Sequence, residues 1–176
     1  MAGLVPPHGS GDLRPLQVPD AARAAELRHA EGLRRLTITS REKGDLVMLG
    51  IGGFTPLQGF MTQADWRGVC DDMRTSSGVF WPIPITLSTD FATASHIAIG
   101  EEVALVDPDD GSLLAVLNVS EKYRIDKAHE CMAVFKTDDA DHPGVRMVMQ
   151  QGDINLAGAV RVLGDGGFKS RYGTLF

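Results

Sequence analysis

The sequence predicts an α+β fold, a small β-barrel decorated with short helices. Short helical and extended stretches alternate along the chain, with turn signals between them. One stretch has apolar residues at helical spacing, and another alternates with period two. The chain has 176 residues, of which 43% are hydrophobic and 23% are charged. This is enough for one domain with its own core, of the composition typical of a soluble globular protein.

The chain is predicted to begin with an irregular arm. Residues 1–19 are rich in proline and glycine, which interrupt both helices and strands. Asp20 is then predicted to cap a short alanine-rich helix that ends at about Gly32. We therefore place the start of the folded domain at residue 20.

A strand, a second helix and a turn are predicted next. Leu36–Thr39 is rich in β-branched residues, which favours a strand. Ser40 is predicted to cap a helix that ends near Gly50. Residues 52–56, with the sequence Gly-Gly-Phe-Thr-Pro, are predicted to form a turn.

A third helix is predicted to begin at Thr62, with Asp65 three residues later as a variant of the capping box. Its apolar residues recur at positions i, i+3, i+4 and i+7 and should share one face. These residues are Trp66, Val69, Cys70 and Met73.

Strand character begins after Gly78. Residues 82–87 contain Pro82 and Pro84, whose missing N–H groups would face the same side of a strand. That side should lack a hydrogen-bonded neighbour, so we expect a sheet edge or a barrel seam.

Two further strands are predicted around a tight turn. Residues 102–107 read as a strand, and residues 108–111, Pro-Asp-Asp-Gly, as the turn. The odd positions of residues 113–119 are all apolar, whereas Asn118 and Ser120 are polar. This alternation predicts a strand with one buried face.

The last part of the chain is predicted to contain one helix and one strand. Asp126 is a candidate cap for a fourth helix, which places four apolar residues at helical spacing. They are Ile125, Ala128, Met132 and Phe135. Residues 142–145, His-Pro-Gly-Val, are predicted to form a turn, and residues 156–163 a strand. The predicted organisation is an arm over residues 1–19, a barrel domain over residues 20–163 and a tail over residues 164–176.

Charge and cysteine content exclude some classes of function. The formal net charge of −6 argues against a large nucleic-acid interface, which needs clustered lysine and arginine. Cys70 and Cys131 are the only two cysteines, so no disulfide framework is expected. No signal peptide and no membrane-spanning segment are predicted, and we expect a cytoplasmic protein without a membrane partner.

No chemistry-bearing motif emerges from the residues alone. No histidine has a second histidine or a cysteine pair at ligand spacing, so no metal site is predicted. Residues 50–54, Gly-Ile-Gly-Gly-Phe, lack the third glycine of a dinucleotide loop and follow a helix, which favours a structural turn. The acidic residues at 109–110 and 138–141 are interpreted as a hairpin turn and a solvated loop. We also assign Phe80 and Trp81 to the core, because no basic residues alternate with them.

Four stretches nevertheless carry motifs of a known enzyme family. They are Pro7-His8-Gly9 with Leu13, residues 53–61 (Gly-Phe-Thr-Pro-Leu-Gln-Gly-Phe-Met), Met73-Arg74 with residues 81–87, and Thr137-Asp138 with residues 142–145. In order and spacing they resemble motifs of the ATP sulfurylases (sulfate adenylyltransferases). The departures are mild: Ser10 replaces the second glycine of the opening motif, and Thr55 replaces a serine.

The resemblance implies a particular domain of that family. It implies a β-barrel of the PUA type, which precedes a nucleotide-binding catalytic domain in the family. The family's catalytic signature, Gln-x-Arg-Asn-x-x-His-x-x-His, does not occur in these 176 residues. We therefore expect the amino-terminal domain alone, with no catalytic, cofactor-binding or metal-binding residue carried over, and an inactive chain.

The resemblance also implies a parent enzyme. That enzyme would join sulfate to ATP and release pyrophosphate, using ATP with magnesium. The expected partner of this chain is the catalytic domain of the same parent, and the parent could form a homo-oligomer. The alternative hypothesis is a stand-alone PUA-like module that binds RNA or a small anion. The acidic charge balance counts against RNA.

Overall fold

The computed structural model describes residues 5–171 and residue 173. Within these residues the chain forms seven short helices and seven strands. The helices are α1 (Asp20–Glu31), α2 (Ser40–Gly50), α3 (Gln63–Asp72), α4 (Phe91–Ser95), α5 (Lys127–Phe135), α6 (Pro143–Gln150) and α7 (Phe168–Arg171). The strands are β1 (Arg34–Thr37), β2 (Gly59–Phe60), β3 (Ser88–Thr89), β4 (Glu102–Val106), β5 (Leu113–Asn118), β6 (Glu121–Arg124) and β7 (Ile154–Val162). Mixed strands with short helices confirm the α+β class. Parts of the predicted arm and tail lie outside the described residues.

The chain divides into two compact units. The first unit comprises Met1–Gly59, Gly100–Asn118 and Ala159–Phe176, and the second comprises Phe60–Ile99 and Val119–Gly158. Strand β7 crosses the boundary, so its first half belongs to the second unit and its last residues to the first.

The sheet of the first unit is mixed. β1 pairs with β4 in parallel, β4 pairs with β5 antiparallel, and β5 pairs antiparallel with the end of β7. One side of this sheet is covered by α1, whose Ala30 packs in a cluster with Ala104 and Val116. Because both faces are covered, Leu114 to Leu117 of β5 are all buried. The predicted single buried face of this strand is therefore wrong.

The second unit is built around the first half of β7. β3 and β6 both pair with it antiparallel, with Ser88 and Tyr123 opposite Asn155. Trp66 and Cys70 of α3 pack there against Tyr123 and Ile125. A separate small cluster holds α5 against α6 through Cys131, Val145 and Val148.

Local capping rules explain where the helices begin. Thr62 accepts a hydrogen bond from the Asp65 amide, which confirms the predicted start of α3. Asp126 likewise caps α5. The two other predicted caps are one residue away from the observed ones. Pro19 precedes α1, and Thr39 forms a full capping box with Glu42 at the start of α2.

Two predicted segments take a different structure. Residues 82–87 are not a strand. The two prolines cannot donate ladder hydrogen bonds, and the segment accepts isolated backbone hydrogen bonds at the Ile85 and Leu87 carbonyls before β3 begins. Residues 142–145 are the start of α6, because the His142 ring nitrogen Nδ1 accepts from the amides of Gly144 and Val145. Pro143 then occupies the first turn, where its missing N–H costs no helical hydrogen bond.

The turn after α2 is confirmed over residues 51–56, and the Thr55–Pro56 peptide bond is cis. Its left-handed position is Gly52, with φ +82°, where a Cβ would lie 3.1 Å from the Pro15 nitrogen. Trp81 is buried as predicted. The predicted burial of Phe80 and Met73 is wrong: both are about half exposed, as is Met132, and Met73 is the left-handed C-cap beyond the buried face of α3. Among the described residues, no helix has the length and hydropathy needed to cross a membrane.

Candidate functional site

The first unit contains a polar cavity, which we call the Lys43 cavity. It consists of two pockets of about 270 and 390 Å³ that share the lining residues Lys43, Asp109, Gly166, Gly167 and Arg171. One wall is α2 and the turn between β4 and β5, and the other is the glycine-rich segment that follows β7. This polar cavity is therefore formed where three stretches distant in sequence meet.

Lys43 is a largely enclosed charged side chain of this cavity, and its partner Asp107 is more enclosed still. Its side chain is 13% exposed, and its Nζ lies 2.6 Å from Asp107 Oδ2 and 3.3 Å from Asp109 Oδ2. The hydrogen bond with Asp107 raises the pKa of Lys43 above its ordinary value, although desolvation opposes the shift. Lys43 is consequently a fixed cation that is already neutralised by its neighbours.

Asp107 is almost fully enclosed, with a side chain that is 3% exposed. Its second oxygen, Oδ1, accepts a hydrogen bond from the Asp109 amide at 2.9 Å. Its main chain also closes the turn, through hydrogen bonds with Ser112 and Gly111. One carboxylate therefore holds both the Lys43 ammonium and the β4–β5 turn.

The charge balance of the cavity is unsuited to a polyanion. Its cationic residues are Arg23, Lys43 and Arg171, and its carboxylates are Asp107, Asp109, Asp110 and Asp165. Four carboxylates against three cations give no excess of positive charge. Binding a nucleoside triphosphate or bringing two oxyanions together requires such an excess or an array of donors.

The second unit contains a buried polar cluster around Trp66. The Trp66 indole Nε1 donates to Glu130 Oε2 at 2.6 Å, and both residues are buried. Tyr123 donates its hydroxyl to the Met61 carbonyl and accepts from the Asn155 amide, both at 3.1 Å. Asn155 Oδ1 has no hydrogen-bond partner among the described residues. The cluster ties α3, α5, β6 and β7 of this unit together.

The two cysteine thiols and the Tyr123 hydroxyl of this unit are buried and have raised pKa values. Burial raises the pKa of the Cys70 thiol to about 12 and raises the pKa of the Tyr123 hydroxyl as well. Burial also raises the pKa of the Cys131 thiol. A thiol with a raised pKa is a poor nucleophile at neutral pH. These residues therefore have the properties of a scaffold.

Three histidines and the acidic loop have local hydrogen-bond partners. His29 pairs with Glu102 and His129 with Asp71, each at 2.6 Å, while His142 caps α6. In residues 5–171 and 173, no group of three or more His, Cys, Asp or Glu side chains is placed to hold a metal ion. The loop of residues 138–141 is stabilised locally, with Asp139 Oδ1 accepting from the Asp141 amide.

Sequence reasoning assigned no catalytic, cofactor-binding or metal-binding residue, and it did not find the Lys43 cavity. Asp109 and Asp110 were correctly placed in a turn, which spans residues 108–110. The pairing of Lys43 with Asp107, however, joins positions 64 apart that carry no motif. The only local signal is the strand-ending Asp107 before Pro108, which is too common to identify a site.

Comparison with known proteins gives the family. A family model described as a PUA-like domain matches residues 5–165. The sulfate adenylyltransferase of Thiobacillus denitrificans is 56% identical over 176 residues, which is 100% of this chain and 43% of that protein. The sulfate adenylyltransferase of Chlorobaculum tepidum is 53% identical over 174 residues, with 98% of this chain and 43% of that protein covered.

A solved structure has a similar fold. It is the hexameric APS kinase from Thiobacillus denitrificans, with a TM-score of 0.68 and 29% sequence identity. The match covers 91% of this chain and 27% of that chain. The chain thus spans less than half the length of the relatives it matches, and the matched part of the sulfate adenylyltransferases is amino-terminal. This chain belongs to the PUA-like domain family, in the form that makes up the amino-terminal part of sulfate adenylyltransferases.

Proposed function

We propose that this chain is the supporting domain of a sulfate adenylyltransferase and that a catalytic domain of the same parent is its partner. The observation that carries the proposal is the 56% identity to a sulfate adenylyltransferase over the whole chain, which covers only 43% of that relative. The parent reaction would convert ATP and sulfate into adenylyl sulfate and pyrophosphate, with ATP and magnesium bound outside these residues. We further propose a cytoplasmic location and a homo-oligomeric parent.

The charges of the Lys43 cavity support a role other than catalysis. The Lys43 ammonium is held by Asp107 and Asp109, so it offers no free charge to a phosphate or sulfate. Transfer of an adenylyl group needs positioned cations or donors around the α-phosphate. We therefore expect this chain alone to have no adenylyltransferase activity.

The test is a comparison of two purified proteins. The 176-residue chain is assayed alone and joined to the remaining part of the Thiobacillus denitrificans sulfate adenylyltransferase, and sulfate-dependent release of pyrophosphate from ATP is measured. We expect release from the joined protein only. The remaining part of the relative without this chain is the matched control. Turnover by the isolated chain would contradict the assignment of a supporting role, and a folded joined protein without turnover would contradict the assignment of the parent.

A stand-alone module that binds a small anion is the second candidate. Arg23 and Arg171 line the Lys43 cavity, and neither takes part in the described ion pairs. Calorimetric titration with sulfate, and filter binding with single-stranded RNA at near-physiological salt, distinguish this candidate. Saturable sulfate binding that Arg23→Ala abolishes would favour the anion module. Sub-micromolar RNA binding with a steep salt dependence would favour an RNA module against the net charge of −6.

A further inference from the structure

The segment after β7 folds on itself through local hydrogen bonds. We call residues 165–171 the Asp165 segment. Asp165 Oδ1 accepts from the Gly167 amide at 3.1 Å, and its Oδ2 accepts from the Lys169 amide at 2.9 Å. The Phe168 amide donates to the Asp165 carbonyl, and the Arg171 amide donates to the Gly167 carbonyl. A single aspartate thus organises the short helix α7, and the segment is shaped by its own contacts.

The surface under this segment is polar and incompletely filled. Both pockets of the Lys43 cavity open between the segment and the body of the first unit. The last main-chain anchor before the segment is Gly164, whose amide donates to the Leu114 carbonyl at 3.0 Å. The segment buries part of the Phe168 side chain, but much of the surface beneath it is polar, so single contacts weigh heavily in whether it stays docked.

Gly166 is the residue of the segment that contacts Lys43. It adopts a left-handed conformation, with φ +57°. A Cβ at this position would overlap Lys43 Cε and would lie 3.3 Å from both Cδ and Cγ. The hydrocarbon stem of Lys43 therefore packs directly against the Gly166 main chain, in a space that only glycine leaves open.

The other end of Lys43 is locked. An end of a flexible side chain would ordinarily move aside for an extra methyl group. Here the ammonium is fixed at 2.6 Å by Asp107, which is itself bound into the β4–β5 turn, and the side chain is 13% exposed. The stem consequently has little freedom to move away from Gly166.

We infer that Lys43 is a latch: its ammonium is fixed by Asp107, its stem holds Gly166, and release of this contact lets the Asp165 segment undock as one body. The latch lies entirely within this chain and does not depend on the activity of any parent enzyme. The main-chain anchors that precede the segment are Leu163 and Gly164, whose amides both donate to the Leu114 carbonyl.

The test is limited tryptic digestion of the 176-residue chain, followed by intact-mass detection of cleavage after Lys169 and Arg171. Cleavage requires the segment to leave its docked position and extend, so its rate reports the undocked population. Gly166→Ala is compared with Gly167→Ala. Gly167 is also left-handed, with φ +77°, but a Cβ there would meet only Ser170 Oγ at 3.7 Å. Both variants place an alanine at a left-handed position, and only the first puts its Cβ against Lys43.

We expect cleavage of Gly166→Ala to be about tenfold faster than cleavage of Gly167→Ala, as overpacking against a fixed neighbour implies. In a Lys43→Ala background this difference should disappear, because the obstructing stem is gone. Asp107→Asn gives a second background if Lys43→Ala fails to fold: it removes the closer carboxylate charge and leaves Asp109 at 3.3 Å, so the stem is less restrained and the difference should be smaller. Equal rates for the two glycine variants, or a difference that persists without the Lys43 stem, would overturn the latch.

Discussion

Asp45 of α2 is a carboxyl group whose burial is only partly compensated. Arg41 donates to it at 2.9 Å, yet the Asp45 side chain is only 14% exposed. Desolvation is the largest influence and raises its pKa to about 6 from an ordinary 3.8; Arg41 opposes the shift and Glu42 adds to it. The folded state therefore favours protonated Asp45. The stability that this preference contributes at low pH is lost as the pH rises through about 6.

Asp45→Asn should accordingly stabilise the chain at pH 8 and have little effect at pH 4. The amide carries no charge to desolvate, while loss of the partly exposed Arg41 pair costs little. Urea unfolding at both pH values measures the effect, with Asp72→Asn at the exposed end of α3 as the control. A destabilised Asp45→Asn variant at pH 8 would mean that the Arg41 pair outweighs burial.

A second prediction at the scale of one residue concerns the burial of Trp66. The side chain is 1% exposed, so Trp66→Ala should lower the free energy of unfolding by about 3–5 kcal/mol. Trp66→Phe keeps most of the apolar volume but removes the donor to Glu130, and should cost about 1–3 kcal/mol. Urea denaturation of both variants separates packing from hydrogen bonding. An unchanged midpoint for Trp66→Ala would contradict its place in the core.

The sequence predicted the burial of the α3 residues in the Trp66 cluster but not the hydrogen-bond partner of Trp66. The spacing of Trp66, Val69 and Cys70 on one helix correctly predicted their burial. The partner of the indole, Glu130, lies 64 residues away on α5 and looks like an ordinary helix-surface residue. Periodicity describes one element at a time, so it cannot reveal a hydrogen bond between two elements.

At the scale of elements, α1 is held to the sheet by a network of ion pairs as well as by apolar packing. Arg161 of β7 lies 3.0 Å from Glu26 and 2.8 Å from Glu102, and His29 lies 2.6 Å from Glu102. The hydrogen bond from Arg161, followed by that with His29, lowers the pKa of Glu102 below its ordinary 4.5. Glu102 therefore stabilises the folded state above pH 4.5, and the stabilisation is lost as the pH falls through its lower folded pKa.

Glu102→Gln tests this linkage. We expect the variant to be less stable than the unsubstituted chain at pH 7. The difference in stability should shrink below about pH 4.5, because Glu102 of the unsubstituted chain becomes protonated there. Thermal unfolding at a series of pH values gives the two curves. Glu31→Gln, at the exposed end of α1 and outside this network, is the matched control. Parallel stability curves for Glu102→Gln and the unsubstituted chain would show that the network does not contribute to the pH dependence of stability.

Helix boundaries show which local signals are sufficient. Thr62 with Asp65 is a strong signal because both residues act within one turn, and α3 begins where it predicts. At α2 two adjacent residues, Thr39 and Ser40, can both cap. The reciprocal hydrogen bond, donated by the Thr39 amide to the Glu42 carboxylate, selects Thr39. His142 was missed as a cap because histidine seldom has this role. The first residues of α6 were therefore predicted to form a turn outside any helix.

The whole molecule is expected to fold from this chain alone. β5 lies between β4 and β7 in the first unit, and its central residues are buried on both faces. Hydrogen exchange should therefore be slowest in Leu113–Asn118 and faster by orders of magnitude at the two-residue strand β3. Absence of strong protection in β5 would contradict independent folding.

The α+β class was predictable because turns and periodicities recur along the whole chain. The coverage of β5 by α1 was not, since Ala30 and Val116 meet only in three dimensions. The Lys43 cavity is missed for the same reason, as its walls come from around residues 43, 107 and 166. Sequence patterns therefore predict elements, whereas the cavity depends on how they are brought together.

The enclosure of Cys70 and Cys131 has a practical consequence for spectroscopy. Both thiols are buried and have raised pKa values, so a maleimide dye should react with them only slowly. A cysteine introduced at the exposed position 169 would then be labelled selectively, without first removing the native ones. A fluorophore at that position would report the opening of the Asp165 segment in single molecules, in a chain whose interior is unaltered.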